Sequence, residues 1–471
     1  MGWFVALLTM LALVLRVMAL GRKGLWQDEV FSVIFARPSN AEFWSVLKSA
    51  EMNMALYYLA LREWMKYFTS DAGVRTLSVI PGVLSIPVMY AVGARLYSRR
   101  VGLWAAGLLA VNACAVVYSQ EARGYSLLVL FVALSCWAFL RVIERPSLLN
   151  CVMYVLFGIC AFYSHFYAVF MIFAHACALG LLPTNKVPWK SLGASWLLIA
   201  VASIPGLRVM LLSHGSNLWW LPRPGPLEIY RTLTFLAAEN GKAAGAVLAI
   251  LFLIPIGVAL RDGWWLWRAK GKSVESFRAG FAATGLLAPL LATMALSLWR
   301  PMFFHRFLIV CLVPFLLLAA AGLEQMRSRR TRQAVAIGIL ILSSVATVMS
   351  YRKVREDWRG AAAFFNGSSD PVIFYLKDAA GPFAYYRERL GTPLAKDQTI
   401  RLEAPPSEAE VAQWAKQYPR IWMVRFPASA KDEVEPWMAA RMQRYYQLCQ
   451  RGTFKAISVS GFSTAGCSPM P

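Results

Sequence analysis

The sequence predicts a polytopic α-helical membrane protein that carries a small α/β domain at its C-terminal end. Hydrophobic residues make up 58% of the 471 positions and charged residues only 15%, whereas soluble domains average about 45–50% and about 25%. Long apolar runs recur as far as about residue 350, and the composition then becomes polar. We therefore expect a membrane domain over residues 1–350 and a polar domain over residues 351–471.

The membrane domain is expected to contain eleven transmembrane helices, since a span needs roughly 20 apolar residues. The first apolar run is rich in large residues and lacks the charged start and small-residue cleavage site of a secretory signal, so we expect it to be retained. The eleven candidate spans are 3–20, 76–96, 101–118, 125–142, 149–163, 166–182, 192–211, 243–260, 279–298, 304–322 and 334–350.

The net charge of +23 indicates membrane topology rather than nucleic-acid binding. A nucleic-acid binder concentrates Lys and Arg on a soluble face. Here they lie between the apolar runs, as in 97–100, 261–278 and 324–333, which is typical of cytoplasmic loops. An N-terminus in the cytoplasm then places the polar domain outside the cytoplasmic membrane, in the periplasm or its equivalent.

The loop over residues 21–75 is expected to lie on that outer side. It contains two stretches, 39–50 and 54–68, whose apolar residues recur at helical spacing with polar residues between them. This pattern predicts amphipathic helices that lie in the membrane interface.

The C-terminal domain has 17 Lys/Arg and 12 acids over residues 351–471. Strand-like stretches at 371–376, 421–426 and 454–460 alternate with helical ones, including 432–450 and a helix that Ser407 would cap. This alternation predicts an α/β domain.

Two cysteines, Cys449 and Cys467, flank the last of these strands. In an oxidising periplasm they would pair as a disulfide, although they could equally be buried free thiols. The sequence has no Cys/His cluster at zinc spacing, no P-loop and no GxGxxG motif after a strand. We therefore expect neither a metal site nor a nucleotide cofactor.

Polar residues at the outer ends of the predicted spans form a candidate site. A carboxylate there can act as general base on an alcohol, and Arg and His donors can hold a phosphate. Such groups suit attack by an acceptor hydroxyl on the anomeric carbon of a lipid-phosphate sugar, through an oxocarbenium-like transition state. The candidate residues are Asp28, Glu29, Asn53, Tyr57, Tyr58, Gln120, Glu121, Arg123, Tyr125, His165, His305 and Arg306.

Each candidate also has a simpler interpretation. The acidic pair could cap a short helix, and arginines or tyrosines at span ends commonly reach or anchor at the headgroups. Arg16, inside the first span but near its outer end, is expected to extend to the headgroups in this way.

Several motifs in order along the chain carry a family resemblance. They are "LWQDE" (25–29), "NMALYY" (53–58), the stretch 75–112, "YSQEARGYSLL" (118–128), "YSHFYAVF" (163–170) and "DWRGAAAFF" (357–365). Together they resemble the membrane glycosyltransferases of the GT-C superfamily, in particular the protein-mannosyltransferase and ArnT-like group. One departure is Met54 and Ala55, where relatives commonly have two prolines.

The resemblance implies a GT-C fold and a glycosyltransferase with no obligatory metal or cofactor. It implies inverting transfer of one hexose or pentose from a polyprenyl phosphate to an acceptor glycan, lipid or protein of the cell envelope. In that scheme Asp28 is the catalytic base, Glu29 supports it, and Arg123 contacts the donor phosphate.

Three other functions remain open. A flippase for a lipid-linked sugar would favour polar residues at mid-bilayer, broken helices and internal repeats. A non-catalytic assembly protein would use the outer domain to recruit a partner. An O-antigen-ligase-type enzyme would move a whole glycan from a lipid pyrophosphate, although the early acidic pair argues against it.

Overall fold

The chain folds into two compact units in a computed structural model. It describes residues 2–49, 52–212, 221, 223–239, 243–366, 369–375, 379–402, 406–426 and 440–467. The first unit comprises Met1–Leu20 and Phe35–Arg352, and the second comprises Gly21–Ile34 and Lys353–Pro471. The segment with the acidic pair thus folds with the C-terminal residues.

The first unit is built from helices. They are α1 Gly2–Val17, the end of α2 Gln27–Ala36, α3 Asn40–Ser49, α4 Ala55–Trp64, α5 Asp71–Leu96, α6 Arg99–Val111, α7 Ala113–Ser119, α8 Tyr125–Glu144, α9 Leu148–Ser164, α10 Ala168–Ala178, α11 Trp189–Leu212, α12 Leu227–Ala238, α13 Ala243–Lys270, α14 Val274–Leu296, α15 Leu312–Gln325 and α16 Arg329–Arg352.

All eleven candidate spans are helical, but the count of eleven membrane crossings is not confirmed. Among the described residues, seven helices are long and apolar enough to cross a membrane, or eight if the bent pair α6 and α7 forms one span. Three of the other candidates, in α1, α9 and α10, are apolar but shorter. Helices α3 and α4 fall where the sequence predicts amphipathic helices.

The span Phe307–Gln325, which ends with α15, is the most deeply packed of the seven long spans, with 89% of its apolar window buried. It lies against α13 so closely that a Cβ at Gly322 would be 1.7 Å from the Pro255 carbonyl oxygen. Only glycine fits such backbone contact, which is how small residues let membrane helices approach one another.

Between α6 and α7 the helix direction bends by 57° at Asn112. The side chain of Asn112 accepts a hydrogen bond from Ala115 N at 2.9 Å and donates one to Leu236 O at 2.9 Å. It therefore caps α7 and joins the bend to α12. The bend leaves carbonyls at the end of α6 without helical partners.

Arg16 fills that need, and the expectation that it extends to the headgroups is wrong. Its side chain is completely buried and donates to Leu109 O at 3.1 Å and Ala110 O at 3.0 Å. A third bond reaches Ser119 Oγ on α7 at 3.2 Å. The guanidinium thus ties α1 to both halves of the bent helix, because only a multidentate donor can serve acceptors on two segments.

We expect Arg16→Met to destabilise the first unit, which contains the candidate membrane spans, by roughly 3 kcal/mol, since buried carbonyls would lose charge-assisted hydrogen bonds. The midpoint of thermal unfolding in detergent measures this. Arg22→Met, at an exposed arginine, is the matched control and should leave the midpoint unchanged. Equal midpoints for the two variants would contradict the role assigned to Arg16.

The second unit contains a five-stranded mixed sheet in the order β2-β1-β3-β5-β4. β1 is parallel to β2 and β3, whereas β5 is antiparallel to β3 and β4. Besides most of α2, the elements are α17 Trp358–Phe364, β1 Val372–Tyr375, α18 Ala380–Arg389, β2 Thr399–Leu402, α19 Glu408–Gln417, β3 Arg420–Arg425, β4 Gln447–Phe454 and β5 Ile457–Ser463.

The small α/β domain predicted from the sequence is thus present, with two corrections at its end. The stretch 454–460, predicted as one strand, contains the turn of a hairpin between β4 and β5, with Ala456 at φ 62°. The end of the predicted helix 432–450 is strand β4, while residues 431–439 lie outside the described residues. Local helical spacing did not reveal the antiparallel pairing that decides this region.

Two features stabilise the sheet domain. Ser407 caps α19 as predicted, in a reciprocal capping box with Glu410. Cys449 in β4 and Cys467 after β5 form a disulfide, with Cα atoms 5.1 Å apart. The bridge closes the end of the β4–β5 hairpin. A disulfide that closes a loop of this size adds about 3 kcal/mol to the free energy of unfolding.

Candidate active site

The loop between α7 and α8 carries Arg123, which three helices hold in place. Arg123 Nη1 donates a hydrogen bond to Tyr58 Oη on α4 at 3.3 Å. The carbonyl of Arg123 accepts a hydrogen bond from Ser78 Oγ on α5 at 3.2 Å. Ser78 Oγ also lies 2.9 Å from Tyr57 Oη. Ser126 Oγ at the start of α8 donates to the Ser78 carbonyl at 2.8 Å. These bonds hold the backbone at Arg123, and the bond to Tyr58 orients its guanidinium.

Gly124 lets this loop approach the junction of α9 and α10. A Cβ at Gly124 would lie 2.9 Å from the Ser164 carbonyl oxygen, which is too close for any other residue. Asn53 holds the same junction, because its Oδ1 accepts a hydrogen bond from Phe166 N at 3.0 Å. The Arg123 loop and the turn that carries His165 are consequently neighbours.

His165 is a buried, neutral hydrogen-bond donor. Its Nδ1 accepts a hydrogen bond from Tyr167 N at 3.2 Å, which assigns the ring proton to Nε2. Burial, and secondarily the charge of Arg123, lowers the pKa of His165 to about 3. In the described part of the chain, Nε2 is buried without a hydrogen-bond partner. A buried donor without a partner is costly and is therefore suited to a ligand oxygen.

Aromatic contacts connect His165 with His305. Neighbouring ring centroids lie 4.6–5.8 Å apart in a closed series of seven rings. The series runs His165, Tyr125, Tyr118, Phe235, His305, Phe304, Phe307 and back to His165. It brings the predicted residues Tyr125, His165 and His305 into one cluster. Burial, and then the charge of Arg306, lowers the pKa of His305, and the Arg306 guanidinium lies over the Phe304 ring at 5.7 Å.

Gln120 and Glu121 precede Arg123 in the same loop, and both are buried. Gln120 Nε2 donates to Met18 O at 2.8 Å and to Arg16 O at 3.0 Å, at the end of α1. This amide therefore positions the loop against α1. Contact of either residue with a substrate stays a prediction.

In the second unit, Asp28 and Glu29 lie in the first turn of α2, where the helix dipole stabilises negative charge. Glu29 is completely buried, and its Oε2 accepts a hydrogen bond from Trp26 N at 3.2 Å. It therefore holds the start of the helix. Asp28 is half-buried, so the adjacent carboxylates have different environments.

Glu356 is an acidic neighbour that the sequence analysis missed. Its Oε2 accepts hydrogen bonds from Gln27 N at 2.7 Å and from Trp358 Nε1 at 2.6 Å. Burial raises the pKa of Glu356, and the charge of Asp28 raises it further. The sequence feature that could have identified Glu356 is its position directly before the "DWRGAAAFF" motif. Through Gln27, Glu356 fixes the first turn that carries Asp28.

We expect Glu356→Gln to flatten the dependence of stability on pH. Because folding raises the pKa of Glu356, its contribution is fully present below the ordinary Glu value, about 4.3, and is lost as pH rises through the folded value. The carboxamide keeps an acceptor oxygen but does not titrate. Thermal unfolding midpoints between about pH 4 and pH 7 measure the difference, with the wild type losing stability relative to the variant as pH rises.

Glu410→Gln is the control, because the pKa of Glu410 is shifted in the opposite direction. The capping bonds from Ser407 lower the pKa of Glu410, so its contribution is present above the ordinary Glu value and is lost on acidification. If the unfolding midpoints of both variants changed with pH in the same way, the environment assigned to Glu356 would be contradicted.

Each unit thus holds part of the predicted set. The first unit assembles a cluster of donors, aromatic rings and cations, and the second holds the acidic pair on a braced helix end. Among the described residues, no three His, Cys, Asp or Glu side chains are grouped as metal ligands. The residues of the first-unit cluster are Asn53, Tyr57, Tyr58, Arg123, Tyr125, His165, His305 and Arg306.

This arrangement can be compared with known proteins. The family model for dolichyl-phosphate-mannose-protein mannosyltransferase matches residues 54–205, which include Tyr57, Arg123 and His165. No curated protein sequence matches the chain.

Solved structures share the architecture over its whole length. ArnT from Cupriavidus metallidurans in the apo state aligns with a TM-score of 0.64 at 13% identity, over 100% of this chain and 99% of that one. The chain has the GT-C fold. ArnT bound to undecaprenyl phosphate aligns over the same shares, with a TM-score of 0.62 at 12% identity.

More distant proteins with the GT-C fold align as well. The oligosaccharyltransferase AglB from Archaeoglobus fulgidus, in complex with an inhibitory peptide and a dolichol-phosphate, gives a TM-score of 0.51 at 12% identity, over 99% of this chain and 74% of that one. Arabinofuranosyltransferase AftD from Mycobacteria gives a TM-score of 0.52 at 12% identity, over 98% of this chain and 41% of that one. The fold class predicted from the sequence motifs is confirmed.

Proposed function

We propose that the protein is an inverting glycosyltransferase that moves a single sugar from a polyprenyl phosphate to an acceptor hydroxyl on the outer face of the cytoplasmic membrane. The observation that carries the proposal is the presence of Arg123 close enough to the buried Nε2–H donor of His165 to lower the pKa of that ring. The GT-C fold and its match to a protein solved with undecaprenyl phosphate support it.

The donor phosphate binds at the first-unit cluster. Arg123 presents a planar set of N–H donors that suits phosphate oxygens, and Tyr58 and Ser78 hold it in place. His165 donates from Nε2 without adding charge. The aromatic rings around it exclude water, which strengthens the attraction between the guanidinium and the phosphate.

The reaction exchanges one C–O bond for another. The acceptor hydroxyl loses its proton to the Asp28 carboxylate while its oxygen attacks the anomeric carbon. The bond from that carbon to the phosphate oxygen breaks, and polyprenyl phosphate leaves with the electron pair. Attack from the face opposite the phosphate inverts the configuration. Arg123 and His165 stabilise the charge that grows on the leaving phosphate.

The acidic residues of the second unit have separate roles. Asp28 is the base, whereas Glu29 and Glu356 are positioning residues because both bind backbone N–H groups at the start of α2. Asp28 is half-buried and therefore accessible to water, whereas Glu29 is completely buried. No metal or cofactor takes part in this scheme.

The disulfide supports an outer location for the second unit, since disulfides persist in oxidising compartments. An acceptor glycan, lipid or protein of the envelope would then meet the enzyme on that side.

The bent helix does not favour the flippase alternative. Transporters use broken helices to expose backbone groups to a substrate. Here Arg16 and Asn112 occupy the backbone groups at the bend, so the bend is satisfied by the protein itself.

The proposal is tested with the full-length protein in lipid nanodiscs, supplied with a panel of polyprenyl-phosphate hexoses and pentoses and a cell-envelope extract as acceptor source. We expect free polyprenyl phosphate to be released from one donor, and faster with the extract. Absence of release from every donor, with and without the extract, would favour the assembly role instead.

A further inference from the structure

A second basic site lies at the other end of the membrane unit from Arg123. Near the donor cluster, α5 and α8 are joined by the bond between Ser126 and Ser78. At their far ends they are joined by an ion pair between Arg95 and Glu144. The 17 residues from Ser78 to Arg95 correspond to about 25 Å along the helix. The two sites are therefore separate.

Two surface pockets share that ion pair. One, of about 410 Å³, is lined by Tyr90, Arg95, Arg99, Trp137 and Glu144. The other, of about 130 Å³, is lined by Arg95, Glu144, Lys186 and Arg278 together with apolar side chains, among them Leu140 and Phe277. The pair of pockets thus presents four cations against one carboxylate. We call them the Arg95 site.

Arg95 itself is incompletely used by the protein. Its Nη1 pairs with Glu144, and its guanidinium lies 6.0 Å from the Trp137 ring centroid. Its Nε is buried and, among the residues described, has no hydrogen-bond partner. A nearby carboxylate outside the pockets, Glu275, is already paired with Lys270 at 3.4 Å.

The chemistry of the lining identifies the class of ligand. Cations in excess and a buried N–H without a partner select an anion. Apolar side chains next to them select an acyl chain, and Tyr90 and Trp137 are residues typical of the headgroup region. An amphiphile with a phosphate head and an acyl tail meets all three requirements. Basic pockets between membrane helices on the cytoplasmic side bind acidic lipid headgroups in this way.

We propose that the Arg95 site binds the headgroup of an acidic phospholipid such as phosphatidylglycerol, with the phosphate at Arg95 and Arg99 and an acyl chain along Leu140 and Phe277. The lipid completes the hydrogen bonding of Arg95. It also holds the ends of α5, α8 and α14 together.

The test uses the full-length protein in mild detergent. It is incubated with phosphatidylglycerol or phosphatidylcholine, separated by size exclusion, and analysed for retained lipid by mass spectrometry. We expect saturable retention of phosphatidylglycerol only. Arg95→Gln/Arg278→Gln should weaken it roughly 25-fold, since each cation near an acidic lipid contributes about 1 kcal/mol, or about fivefold.

Two variants and one competitor make the result specific. Arg95→Lys/Arg278→Lys should retain more lipid than the Gln variant but less than the wild type, which separates loss of charge from loss of folding. Arg261→Gln/Arg268→Gln removes two exposed arginines of the α13 end and should change nothing. Equal retention by the Gln variant, equal retention of phosphatidylcholine, or complete displacement of the lipid by inorganic phosphate would each overturn the proposal.

Discussion

Asp28→Asn is expected to lower the rate of sugar transfer about 10²–10⁴-fold, the range for removal of a general base. The amide keeps the size of the side chain but cannot take the acceptor proton. Donor affinity should remain, because the proposed phosphate contacts are Arg123 and His165 rather than residues of α2. Release of polyprenyl phosphate in nanodiscs measures the rate, and retention of the donor on the purified variant measures binding.

Asp262→Asn is the matched control for this change. Asp262 pairs with its exposed neighbour Arg261 at 2.8 Å, towards the polar end of α13. It should transfer sugar at the wild-type rate. An Asp28→Asn variant that also works at that rate would refute the role of Asp28 as base.

Arg123→Gln is expected to reduce kcat about 10²–10³-fold, the cost of removing one donor that stabilises transition-state charge. Arg123→Lys should recover only part of the loss, because an ammonium cannot reproduce the planar guanidinium. Donor binding should weaken as well, which distinguishes this residue from Asp28. Rates over a range of donor concentrations separate the two effects.

The control for this pair is Arg100→Lys, at an exposed arginine that pairs with Glu324 at 3.5 Å, which should leave kcat and KM unchanged. Full activity of Arg123→Lys would show that charge alone suffices at this position. That result would contradict the proposal that the planar guanidinium of Arg123 contacts the phosphate through several N–H donors.

Much of the fold was predictable from the sequence because it follows from hydropathy and local spacing. The apolar segments, the amphipathic helices of the first loop and the cap at Ser407 are all local properties. The hairpin at 454–460 was not predictable in this way, since strand β4 exists only through its pairing with β5. The count of membrane crossings also depends on helix length and bending, which apolar composition alone does not determine.

The sequence motifs name the candidate residues, but the hydrogen bonds and burial of each one could be read only from the structure. Motif order led to Arg123 and His165, yet only the coordinates give the tautomer of His165 and the positioning bonds of Gln120. Asp28 and Glu29 are adjacent in sequence, and successive helical residues point about 100° apart. Their different environments therefore required the structure. Glu356 was missed because its partner, the N–H of Gln27, is more than 300 residues away in sequence.

The identity of the lipid released on transfer tests the central claim most directly. Wild-type protein in nanodiscs, given a lipid-linked sugar and an envelope extract, would be followed by mass spectrometry of the lipid fraction. We expect one polyprenyl monophosphate to be released for each single sugar transferred, and Asp28→Asn to form it about 10²–10⁴-fold more slowly. Release of a polyprenyl pyrophosphate, or transfer of an intact glycan, would contradict it.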